Sequence, residues 1–195
     1  MTSANAQLYI ALQARIAAIT INSTAAIPWI NQDLGQLEHD NGSGRPAVTF
    51  PACTIDIEDS TFENLGDNTQ TGNTRICIRL AFPPFSNTSN ITPAPYKNAA
   101  LYYYDLENAI HLALQGWYPG VTTIDDTTDP ITTVDLSNTW GHLIRIRTAT
   151  ERRNDTIRVR QLHYGITLID DTTERDATLI PDITPSLTTI FSIPE

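Results

Sequence analysis

Two stretches of strict alternation constrain this chain more than any other feature. In residues 48–58, Cys53, Ile55 and Ile57 fall on one side and Thr54, Asp56 and Glu58 on the other. Residues 74–82 repeat the pattern, with Ile76, Ile78, Leu80 and Phe82 inward and Arg75, Cys77 and Arg79 outward. A period of two with one apolar side demands a sheet buried on one face. If the two strands pair antiparallel through the turn-rich residues 60–73, Asp56 and Glu58 share a face with Arg75 and Arg79, where opposite charges attract across strands. The same alternation puts Cys53 and Cys77 on opposite faces, which predicts two free thiols.

Two amphipathic helices can cover such a sheet. In residues 6–19, Leu8, Leu12, Ile16 and Ile19 recur at helical spacing. The stronger signal is residues 101–117, where Tyr103, Leu106, Ile110, Ala113, Leu114 and Trp117 form a stripe and Gly116 provides a stop. Residues 27–30 suggest an edge strand, followed by a Gly- and Asn-rich loop. Residues 142–148 and 156–168 flank a turn at Glu151 to Asp155 and predict a hairpin. Its second strand changes phase between Val159 and Leu162, so a bulge is expected near Arg160 and Gln161. The expected fold is α+β: an antiparallel sheet of four to five strands, two helices on one face, and long loops at 83–95 and 118–140. One domain spans 1–170, and the proline-broken residues 171–195 form an extended C-terminal arm that lies on something.

Composition narrows the function. The 195 residues carry a formal charge of −10, with 12 basic residues against 22 acidic ones, so the overall field repels a polyanion. The 28 threonines favour strands and polar loops. No apolar run approaches the roughly 20 residues of a membrane helix, and no leader pattern opens the chain, so the expectation is a soluble, unprocessed protein. Two cysteines build neither a disulfide framework nor a four-thiolate zinc site.

The residues announce no chemistry. His39, His111, His142 and His163 lack a second ligand at metal-binding spacing, and nucleophile-elbow and phosphate-loop motifs are missing. The pentapeptide Ile-Asp-Asp-Thr-Thr occurs at 124–128 and 169–173, without the ligand alternation of a calcium loop. No catalytic, cofactor or metal residue is therefore expected. Charge is more telling: Arg145, Arg147, Arg152, Arg153, Arg158 and Arg160 gather in one hairpin, either as a solvated strand face or as an interface with an acidic partner or passing DNA. Tyr102, Tyr103 and Tyr104 cannot all be buried against one sheet, so a ring such as that of Tyr102 faces a neighbour, and Phe191 is a second candidate contact, on the arm.

With these residues in view, AVTFPACTIDIED, NTRICIRLAF, ALYYYDLENAIHLALQGW and ATERRNDTIRVRQLHYGITLID resemble small structural proteins of tailed phages and prophages of Bacteroidetes-like hosts. The element order is similar to that of the tail terminator family of long-tailed phages. The resemblance covers about residues 8–170 and departs from the family in the two long loops and the arm. It implies a virion protein, made in the host cytoplasm, that forms a ring, usually a hexamer, at the head-proximal end of the tail. Such a ring ends tube polymerisation and contacts the major tail tube protein and a neck or head-completion protein. DNA passes through its lumen unread. A head-side adaptor or stopper is the alternative within that class. A carbohydrate-binding module using Trp29, Trp117 and Trp140 is the alternative outside it, and an enzyme is the least supported.

Overall fold

The computed structural model describes residues 3–21, 23–38, 48–66, 69–83, 88–124, 132–135, 139–153 and 157–170. Chain order is α1 (Ala4–Ala17), β1 (Thr20–Ile21), β2 (Thr24–Ala25), β3 (Trp29–Gln32), β4 (Ala52–Asn64), β5 (Gln70–Phe82), α2 (Ala94–Leu114), β6 (Val121–Ile124), β7 (Thr132–Asp135), β8 (Ile144–Thr150) and β9 (Arg158–Asp170). Five strands form the main sheet in the order β3-β4-β5-β9-β8, and β1-β2 and β6-β7 are separate two-stranded ribbons. The architecture is α+β, as the alternation predicts. The sheet is mixed, however, because β3 runs parallel to β4 whereas every other pair is antiparallel.

Both helices cover one face. Leu8, Leu12 and Ile16 of α1 and Tyr103, Leu106, Ile110 and Leu114 of α2 interlock with Ile55, Ile76, Ile78, Leu80, Leu162, Tyr164 and Ile166 in one core. Burying side chains of this size contributes about 1.5–3 kcal/mol each. Ser3 caps α1 by accepting from the Ala6 amide at 3.3 Å. After α2 the chain reverses at Gly116, whose φ of +73° is costly for a residue with a side chain.

Three expectations change in detail. The β4-β5 hairpin runs farther than the alternation suggests, since both strands continue through residues read as turn, to Asn64 and from Gln70. The loop at 118–140 carries the β6-β7 ribbon. The bulge lies in β8, between Arg145 and Arg147, while β9 pairs with β5 without interruption from Arg158 to Asp170. The phase change in β9 has another cause. Ile157 and Val159 face the helix-free side, where they join Leu37, Ala52 and Ala81 in a second small core, whereas Leu162 onward faces the helices. A sheet buried on both faces at one end reads as a slip of register in the sequence alone.

Candidate assembly face

The helix-free face of the sheet divides into three zones. Beside the small core, Arg79 of β5 is enclosed by carboxylates. Its guanidinium donates to Asp33 at 2.7 Å, to Glu38 at 2.6 Å and to Glu151 at 2.9 Å. Arg153 closes the knot by donating to Glu151 and to the Leu37 carbonyl. Burial opposes a charge on Asp33, yet donation from Arg79 and from the Gly35 amide holds its carboxyl below the usual range. Burial likewise opposes the charge on Arg79, and the same carboxylates outweigh it, so the guanidinium stays charged. The knot staples the loop that follows β3 to the turn between β8 and β9. Asp56 and Glu58 do share the face of Arg75 and Arg79, but a register shift between Ile57 and Asp59 makes Asp59 the nearer partner of Arg75, at 3.9 Å.

The middle zone joins three strands. Cys77 and His163 are direct cross-strand partners on β5 and β9, and Glu58 approaches from the β4 irregularity. Burial, with Glu58 nearby, pushes the Cys77 thiol up to about 12. Cys53, on the opposite face in the main core, is also raised, chiefly by burial. Both thiols are free, as the opposite-face argument requires.

The third zone is apolar and open. Ile144 and Ile146, 60% and 59% exposed, stand on β8 beside a groove of about 540 Å³ lined also by Thr61, Thr74, Gly165 and Thr167. Alternation puts Ile144 and Ile146 on this face, where Ile146 packs over Gly165, and the bulge then pairs Arg147 with His163. On its outer side β8 has no neighbouring strand among the described residues.

The six arginines of the hairpin divide. Arg160 is engaged by Glu107 of α2, Arg153 belongs to the knot, and Arg158 lies over the Tyr103 ring at 4.3 Å. Arg145, Arg147 and Arg152 are exposed. Tyr103 is buried, Tyr102 is half-buried and Tyr104 is exposed. Phe191, with the rest of the arm from residue 171, lies outside the described residues. Sequence spacing gave no sign of the knot or of the Glu58, Cys77 and His163 cluster, because their members lie far apart in the chain and meet only through strand register. Trp140 is buried, and Trp29 and Trp117 are half-buried against the two cores.

No helix among the described residues is long and apolar enough to cross a membrane. Comparison with known proteins finds no matching family model and no matching curated protein. Among solved structures, the chain is similar to a component of the virion of a native gene transfer agent particle, at 11% identity and a TM-score of 0.44, over 84% of this chain and 95% of that one.

Proposed function

We propose that this protein is a virion structural subunit of the tail terminator kind: a non-enzymatic ring component at the head-proximal end of a phage tail. The observation that carries the reading is the outer strand β8, which presents exposed Ile144 and Ile146 with exposed Arg145 and Arg147 next to an open groove. An edge with apolar side chains and no further strand among the described residues is a template for another chain, and soluble monomers normally blunt or cover such an edge. A ring leaves no such edge unused, since each subunit meets its neighbour through two different surfaces. The similarity of the element order to tail terminators supports a place at the junction of tail and head. The subunit then joins the major tail tube protein to a neck or head-completion protein, and the net charge of −10 suits a lumen through which DNA slides.

Immunogold labelling of the particles that package this protein tests the placement. The expected result is label confined to the junction of tail and head; label along the tail shaft, on fibres or on the capsid shell overturns it.

A further inference from the structure

We propose that Glu58, Cys77 and His163 form a zinc site on the helix-free face of the sheet. One donor atom from each lies within 4.8 Å of the others, and the three residues come from three adjacent strands, β4, β5 and β9. Backbone ladders fix all three positions: Cys77 pairs directly with His163, and the interruption between Ile57 and Asp59 brings Glu58 to them. Cys77 Sγ lies 4.0 Å from His163 Nε2, the nitrogen that would bind the ion; the Glu58 carboxylate lies 3.5 Å from the other ring nitrogen, Nδ1, and reaches the ion by rotating toward Nε2. A tetrahedral zinc ion with ordinary bond lengths holds a sulfur and a nitrogen roughly 3.5 Å apart, so small side-chain rotations close the set.

The donor chemistry selects the ion. One sulfur, one imidazole nitrogen and one carboxylate oxygen suit Zn²⁺, whereas Ca²⁺ and Mg²⁺ demand oxygen throughout. Three protein ligands leave a fourth position for water or for a group from a neighbouring molecule. On binding, the Cys77 thiol forms its bond to the metal as a thiolate and its proton passes to solvent.

One group opposes the ion. The Arg147 guanidinium lies 3.2 Å from His163 Nε2, and because arginine only donates, that nitrogen is the acceptor. Arg147 is exposed on the outer strand, so it can swing into solvent when a cation enters. It therefore acts as a competitor, and removing it must tighten metal binding.

The test is titration of the full chain with Co²⁺, followed by displacement with Zn²⁺. The proposal expects a thiolate-to-cobalt charge-transfer band, one ion per chain, and loss of that band in Cys77→Ser. It expects affinity to fall about 10-fold or more in Glu58→Gln and His163→Gln, and to rise several-fold in Arg147→Ala. Cys53→Ser, on the other face, retains the band. If Cys77→Ser does not fold, the Glu58→Gln and Arg147→Ala pair decides alone, since their shifts are opposite in sign. Absence of the band in the unmodified protein, a band that survives Cys77→Ser, or affinity unmoved by both Glu58→Gln and Arg147→Ala overturns the proposal.

Discussion

Arg160 grips Glu107 with two parallel hydrogen bonds, Nε to one carboxylate oxygen at 2.6 Å and a terminal nitrogen to the other at 2.8 Å, tying β9 to α2. Both side chains are largely shielded, at 14% and 12% exposure. A shielded bidentate pair is far more sensitive to loss of one partner than a surface pair. Glu107→Gln and Arg160→Ala are each expected to lower unfolding stability by about 2–3 kcal/mol, below the range for fully buried pairs because some solvent reaches this one. Chemical denaturation of single and double variants checks the value, with the double variant costing less than the sum.

The knot around Arg79 predicts an acid-sensitive joint. Asp33 has its folded pKa held below the ordinary 3.8, so its contribution is present in full above that value. The contribution is lost as pH falls through the ordinary value toward the lower, folded one. Stability measured from pH 6 down to pH 2.5 therefore declines more in the unmodified protein than in Asp33→Asn. Arg79→Ala leaves Asp33, Glu38 and Glu151 facing one another and is expected to cost about 3 kcal/mol at neutral pH.

The thiols offer a third check. Cys53 and Cys77 lie on opposite faces and burial raises both pKa values, so a thiol reagent should modify neither quickly in the native protein and both after denaturation. Cys53→Ser buries a hydroxyl in the main core and is expected to destabilise by about 1–3 kcal/mol.

How much of this could be seen in the sequence depends on the range over which each feature is encoded. Cys53 to Ile57 and Ile76 to Phe82 declare their faces locally, and so do the stripes of both helices, because periodicity needs only near neighbours. The parallel pairing of β3 left no local mark, since its register is set by contact with β4. Val159 misled for a related reason: its burial on the second face is created by Leu37, distant in sequence. The arginine hairpin was visible as a charge cluster, but its division into shielded and exposed members depended on Glu107, Glu151 and Tyr103, which only the fold brings near.

The exposed face of β8 makes the fourth prediction. Ile144→Asp and Ile146→Asp place charges where the side chains are already mostly in water, so folding stability should change by less than about 0.5 kcal/mol while self-association is lost. Thermal unfolding and sedimentation of the same samples separate the two effects.

Cryo-electron microscopy of the purified full chain, at the concentration where it associates, reads the proposed ring itself. The expected result is a closed ring of identical subunits in which Ile144 and Ile146 of β8 are covered by the adjoining copy. A protein that stays monomeric at every concentration, both alone and within particles, or a ring in which β8 remains bare to solvent, would contradict it.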